Sequence, residues 1–475
     1  MQLYNQAAVA FCVLQAVIVT PAIGSILKQH PLHPHATDKS PHIGLQQWVA
    51  AQDEYSQQHI LANIAPFATD PQAMPGAICA SPSRKHPDYY YSWTRDSALV
   101  MSEVINWLPS ANLTFKRELE EKIEDYIGFT RHVQQLKELK YGLGEAKFHM
   151  DGKPFRGSWC NAQTDGPALR ARTLMKYARI LQNSGRQEQA GDLFYKVILN
   201  DLLYVQSVWM DPHNCDIWEE SRGMHFYTLS AQQRALEEGA QIAEELDENW
   251  GFAETAQQIS LRLTGFWDHR GGYIVTTRNH TGGIMSKASN LDSQVLLAIL
   301  HHGSASQLSS QETLVTVSKL IKSFDRLYQV NQVQQTQING HWVQLGVAMG
   351  RYPEDVYNGD GVSRGNPWSL ITSSVAEYHY RLALELLTAA KSNQLAEFAG
   401  MMRWQHTWGL AEYLLAVGDR FMARVWLHTD NDHKMYEQWD RHTGFGRGAV
   451  HLTWSYTAHL AASRARNLLL KALSQ

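Results

Sequence analysis

From about residue 45 onward, apolar side chains return every three or four positions in about a dozen segments. These begin near Leu45, Ser97, Phe115, Pro167, Gln187, Thr228, Ala253, Leu291, Glu312, Ser369, Leu410 and Ala449. That spacing puts the apolar residues on one face of a helix, so each segment predicts an amphipathic helix. Alternation with a period of two is scarce and short, as in Gly272–Thr276. The connections are unequal, with long loops bearing Gly, Pro and Trp between pairs of helices. Helices paired in this way around one core predict an all-α toroid or bundle array. No linker rich in Ser, Thr or Pro interrupts the chain beyond residue 45, and no strong internal repeat is visible. The pattern therefore predicts one folded domain over 43–475 and argues against a regular solenoid.

The N-terminus reads differently. Residues 1–27 contain an apolar run from Ala7 to Ile26, interrupted by Gln15 and Pro21. It fits a cleaved signal segment with small residues near Ala22 and Gly24, although no positive charge precedes it. It is also about long enough for a membrane anchor. Residues 28–42 carry Pro31, Pro34, Pro41 and four His, and read as a solvated linker. A location outside the cytoplasm is expected, whether secreted, vacuolar or periplasmic.

Composition narrows the partners. A chain of 475 residues with 44% hydrophobic and 19% charged residues has material for a large core. Net charge is −4 and no run of Lys or Arg stands out, so nucleic acid and an obligatory membrane partner are not expected. The 15 Trp and 20 Tyr are many for this length. Sugar sites use such rings, because the C–H faces of a pyranose pack on them. The four Cys (Cys12, Cys79, Cys160, Cys215) match no zinc spacing. One disulfide with a free thiol, or three buried thiols, both remain open. No cofactor or metal is expected.

Candidate chemistry lies in five loops. Pro87 to Ser97 reads PDYYYSWTRDS, with a helix expected just after it and Asp96 or Ser97 as cap. There Arg95 and Asp96 suit bidentate bonds to sugar hydroxyls, with Tyr89 and Trp93 as walls. The second loop runs through Gly144-Glu145-Ala146-Lys147-Phe148 and Trp159 to Asp165-Gly166-Pro167, which opens a helix. Trp159 is a candidate ring platform. In the third, Asp216, Glu219 and Glu220 crowd beside Trp218. Like charges and an apolar wall favour protonation in such a group, which suits general-acid cleavage of a glycosidic bond. The fourth holds Arg351 and Trp368, and the fifth sets Glu437 and Gln438 among aromatics. Two carboxylates from distant loops are the minimal machinery of most glycosidases.

Taken in order, YYYSWTRDS, DGPALR, DIWEE, GRYPEDVYNGDG, GNPW and LTWSY resemble the glucoamylase family of inverting exo-glycosidases, particularly its fungal and yeast members. The resemblance covers roughly residues 45–470. It implies an (α/α)6 barrel with the active site among the loops on one face. It matches Glu219 to the general acid and Glu437 to the general base. Glu220 matches a sugar contact in the first leaving-group site, Arg95 and Asp96 the grip on the terminal glucose, and Arg351 a further contact. Tyr89, Trp93, Trp159 and Trp368 match aromatic walls, with Trp218 beside the acid, and Gln438 a secondary polar contact. The implied partner is an α-glucan chain, cut by a monomer that releases β-glucose and works best at acidic pH. Room for a water between the carboxyls requires a separation of about 6.5–9.5 Å.

Departures from the family wording are Cys160-Asn161-Ala162 after Trp159, Ala146 where Pro is usual, and Ser369 after Trp368. The first bears on the outer subsites. No starch-binding domain is expected after the last helix, which favours soluble glucans over granules. Two alternatives stand beside this reading: a relative of the same fold preferring α-1,6 links or a disaccharide, and an inactive α-glucan-binding protein. Asn112-Leu-Thr and Asn279-His-Thr are glycosylation triplets, usable in a eukaryotic secretory pathway.

Overall fold

The computed structural model describes residues 40–284, 287–392, 399–429 and 431–475. The apolar segment 7–26, Cys12 and the four linker histidines fall outside the described residues or, for His42, among side chains not described. The first helix begins at Ser40, inside the expected linker. Among the described residues, no helix is long and apolar enough to cross a membrane.

Six helices form a closed inner ring: α2 (Thr94–Trp107), α4 (Asp165–Asn183), α7 (Phe226–Glu245), α9 (Gln294–His302), α12 (Ser369–Ser392) and α14 (Thr453–Leu473). Each packs on the next, and α14 closes the ring on α2. An outer layer alternates with them in sequence. It comprises α1 (Ser40–Ala62), α3 (Leu113–Gln134), the pair α5 (Gln187–Leu193) and α6 (Leu199–Val208), α8 (Phe252–Thr264), α11 (Gln311–Asp325) and α13 (Ala399–His428). A single-turn α10 (Ala305–Leu308) lies between α9 and α11. This is the (α/α)6 arrangement. Eleven of the twelve predicted start points lie within five residues of these positions, whereas Leu410 falls well inside α13 (Ala399–His428), because the apolar stripe marks the packed face of a helix and not its first turn.

The rings are joined by a core of Leu, Ile, Val, Phe and Tyr that includes Ile105, Leu174, Leu236, Leu297, Ile371 and Leu460. Buried ion pairs tie the two layers together across it. Arg170 of α4 grips Asp201 of α6 through two bonds of 2.6 and 2.8 Å, both side chains buried. Arg466 holds Asp419 between α14 and α13 in the same manner.

Connections from an outer helix to the next inner one are long: 63–93, 135–164, 209–225, 265–293, 326–368 and 429–452. All of them approach the N-terminal ends of the inner helices, so these loops gather at one mouth of the barrel. Short antiparallel pairs stiffen them: β1 (Ser92–Trp93) with β2 (Lys147–Phe148), β3 (Ser221–His225) with β6 (Thr277–Gly283), and β9 (Tyr436–Trp439) with β10 (Gly446–Val450). Two more hairpins, β4 (Trp267–Asp268) with β5 (Tyr273–Ile274) and β7 (Gln335–Ile338) with β8 (His341–Gln344), lie farther out. The short strand pattern at 272–276 is thus half of a hairpin.

Candidate active site

A cavity of about 430 Å³ opens at this mouth, in the size range of small-molecule sites. Its wall is drawn from five of the six long connections. Trp93, Arg95 and Asp96 come from the start of α2; the helix begins at Thr94, two residues before the expected cap. Trp159, Glu219, Arg351, Trp368 and Glu437 come from loops far apart in sequence. The carboxyls of Glu219 and Glu437 therefore face one hollow.

Glu219 is held in a turn, its backbone N–H bonded to the Asp216 carbonyl at 2.9 Å. Its φ of +66° lies in the left-handed region. A non-glycine residue there costs on the order of 1–2 kcal/mol, the kind of strain found at functional positions. Its Oε1 accepts from Trp93 Nε1 at 2.7 Å and from Gln163 Nε2 at 2.8 Å, with Arg95 Nη2 at 4.0 Å. Among the described residues no donor is within hydrogen-bond reach of the other oxygen, and the side chain is 17% exposed.

Glu437 is fully buried on β9. Its Oε1 accepts from Tyr89 OH at 2.9 Å, and its Oε2 from Tyr357 OH at 3.3 Å and the Ala449 N–H at 3.4 Å. Opposite Glu437 the β10 strand bulges, fitting two residues, Gly448 and Ala449, where regular pairing has one. Gly448 has φ +73°, and a Cβ there would lie 2.2 Å from Glu437 Oε2. Only glycine lets the strand pass this close. Burial pushes the Glu437 carboxyl up to about 7, while Tyr89, the Ala449 N–H, Arg351 and Tyr357 favour its charged form.

The crowding expected of Asp216, Glu219 and Glu220 is not the arrangement found. The three side chains diverge. Asp216 accepts the N–H groups of Glu220 and Ser221 and the Lys287 ammonium at 2.7 Å. Burial works against its charge, but Lys287 and His225 carry its carboxyl well below the usual range. Glu220 bonds Arg351 Nη2 at 2.7 Å and Tyr352 OH at 2.6 Å. Lys287 also reaches Asp292 at 3.3 Å, and Asp292 in turn accepts from Trp218 Nε1 at 2.8 Å. One lysine from another loop replaces mutual repulsion with attraction.

Arg95 is 5% exposed, braced by Gln163 at 2.8 Å and by Asp96 and Asp165 at 3.4 Å. Its Nε and one Asp96 oxygen have no hydrogen-bond partner, nor do the indole N–H groups of Trp159 and Trp368. The first two of these atoms face each other across the 3.4 Å ion pair, so Arg95 and Asp96 brace one another at the cavity wall. Burial raises Asp96 to about 6 against the pull of Arg95. Arg351 is held through its Nε and Nη2 by Asp355 and Glu220, so it orients Glu220 as well as forming wall. Gln438 is the exception among the expected contacts. It does not line the cavity, because alternation along β9 turns it away from Glu437, and its Oε1 accepts from Asn366 Nδ2 at 2.9 Å.

Tyr357, Trp454, Gln163 and Lys287 were not expected. The first three stood inside or beside the motif words, whereas Lys287 lies in a loop with no sequence signal. Cys160 forms a disulfide with Cys215, joining the Trp159 loop to the segment before Glu219, and Cys79 is a buried free thiol. Among the described residues no cluster of His, Cys, Asp and Glu is suited to hold a metal ion.

A sequence profile of glycosyl hydrolases family 15 matches residues 54–464. The chain belongs to that family. It is 32% identical to a glucoamylase of Saccharomycopsis fibuligera, over 89% of this chain and 90% of the relative. It is 34% identical to glucoamylase 1 of Rhizopus oryzae, over 88% of this chain and 70% of the relative. Among solved structures, a Saccharomycopsis fibuligera glucoamylase superposes with a TM-score of 0.77 at 29% identity, covering 92% of this chain and 99% of its own. The family 15 glucoamylase of Hypocrea jecorina gives 0.77 at 30% identity, covering 90% and 73%.

Proposed function

We propose that this family 15 glycoside hydrolase removes single glucose units from the ends of α-glucan chains, cutting α-1,4 bonds, and α-1,6 bonds more slowly, with inversion. The observation that carries the reading is the contrast between two carboxyls on one cavity. Glu219 has one oxygen engaged and the other free to hold a proton. Glu437 accepts at both oxygens, the pattern of a carboxylate that takes protons. Glu219 then protonates the glycosidic oxygen as the bond to the anomeric carbon breaks. Glu437 takes a proton from the water that attacks the opposite face, and the product is β-glucose. A single cavity that sets Arg95, Asp96 and Trp454 beside both carboxyls offers charged and aromatic contacts to a terminal ring, which supports exo-action.

The buried position of Glu437 favours its neutral form below about pH 7. This pulls the acid limb of the activity profile upward, toward the neutral side of the acidic optimum read from the sequence. Taken alone, it also favours the reverse assignment, with Glu437 as acid, so the test includes a substrate that needs none. Maltoheptaose hydrolysis followed by NMR should show β-glucose first. Glu219→Gln and Glu437→Gln should each lose about 10²–10⁴-fold in kcat. Fluoride leaves α-glucosyl fluoride with little need of a proton, so Glu219→Gln should retain much of that activity and Glu437→Gln should not. The opposite result reverses the roles, and early α-glucose ends the inverting mechanism. The Cys160–Cys215 disulfide supports passage through an oxidising compartment. We take the enzyme to act as a monomer, since one chain supplies the whole cavity wall described.

A further inference from the structure

Lys147 is only 4% exposed, yet its ammonium has no hydrogen-bond or ion-pair partner among the described residues. A buried charge without a partner is costly, and here aromatic faces take the partner's place. The Nζ lies 3.3 Å from the ring centre of Trp159, 4.1 Å from Phe155, 4.5 Å from Tyr91 and 4.6 Å from Trp93. The box is built into the fold. Lys147 is the direct cross-strand partner of Trp93 in the β1–β2 pair, and its carbonyl accepts from the Phe155 N–H at 3.2 Å. The rings brace one another edge to face, Trp93 on Trp159, Phe155 on Trp159 and Tyr91 on Phe155. Two of the four, Trp93 and Trp159, are cavity walls, and Trp93 is the donor to Glu219.

We propose that Lys147 is a positioning residue: caged by four rings, it fixes two indole walls of the site and supplies the positive charge that offsets the negative charge on Glu219 once its proton has left. The inference rests on Glu219 being the acid. The groups that face the cage are few. Glu219 and Asp88 are the carboxylates coupled to the ammonium, Tyr91 OH donates to Asp88 at 3.3 Å, and His149 packs on the outer sides of Tyr91 and Phe155. Burial draws Lys147 down to about 8, against the pull of Glu219 and Asp88. The cage is therefore charged throughout the acidic and neutral range.

The test uses Lys147→Met, which keeps the length of the side chain and removes the charge, and Lys147→Arg, which keeps the charge. In Lys147→Met, kcat on maltose should fall about tenfold as the two indole walls lose their anchor, and the alkaline limb of the profile should move up because less positive charge faces Glu219. KM should change less than kcat, and Lys147→Arg should keep the parent limb. Independently of catalysis, the intrinsic tryptophan fluorescence of the substrate-free parent should step near pH 8 as the caged ammonium discharges. That step should vanish in Lys147→Met. An unshifted limb in the Met variant, a step that survives it, or an Arg variant shifted as far as Met overturns the proposal. Full activity in Glu219→Gln would instead overturn the underlying assignment while leaving the fluorescence step in place.

Discussion

Replacing Glu437 by Gln should stabilise the empty enzyme, and by an amount that grows with pH. Burial raises the carboxyl from its ordinary 4.5 to about 7, so the fold favours its neutral form. A group raised in this way contributes stability that is fully present below 4.5 and is lost as pH rises through 7. Gln imitates the neutral carboxyl at every pH and escapes that loss. At about 1.4 kcal/mol for each pH unit between 4.5 and 7, the variant should gain about 3 kcal/mol over the parent by pH 8. Unfolding entropy of about 2.1 cal/mol/K per residue over 475 residues makes this a Tm difference of about 3 °C. The amide also sets one N–H group against the donors Tyr89, Tyr357 and Ala449, which adds an offset independent of pH. The assay is calorimetry of both proteins from pH 4 to pH 8, taking the difference at each pH so that all other titrations cancel. A difference that is flat, or that shrinks as pH rises, refutes the reasoning.

Two further outcomes follow from the geometry. Gly448→Ala should lower kcat by at least about 10²-fold in a steady-state assay, because its Cβ would meet Glu437 Oε2 at 2.2 Å and a 1 Å misplacement of a catalytic group costs about that much. Exchanging both Cys160 and Cys215 for Ala should cost about 4 kcal/mol of stability, from the chain entropy of a loop with separation 55, seen as a Tm about 4 °C lower in a thermal melt.

The architecture was legible because helix periodicity is local. Each apolar stripe marks its own segment, and twelve alternating segments with unequal connections fit a double ring. Where the helices start was less legible. At Thr94, tertiary packing of Trp93 and Arg95 at the mouth of the barrel sets the first turn two residues ahead of the capping signal. Ring closure of α14 on α2 joins opposite ends of the chain, and no local pattern encodes it. The disulfide belongs to the same class: Cys160 and Cys215 become neighbours only when the loops before α4 and α7 meet.

The site shows the same division more sharply. Residue types with unmistakable chemistry, such as Trp93, Arg95, Glu219, Arg351 and Glu437, announced themselves, and the fold brings all five to one cavity. What the sequence could not show was which charges meet. The acidic run from Asp216 to Glu220 reads as repulsion until Lys287 arrives from another loop to join Asp216, Glu220 and Asp292. Gln438 reads as a contact by its place next to Glu437, yet strand alternation turns neighbours to opposite faces. Proximity along the chain therefore misleads for electrostatics, where one distant cation reverses the sign, and for strands, where one residue reverses the direction. It serves well for helices, where it sets the face.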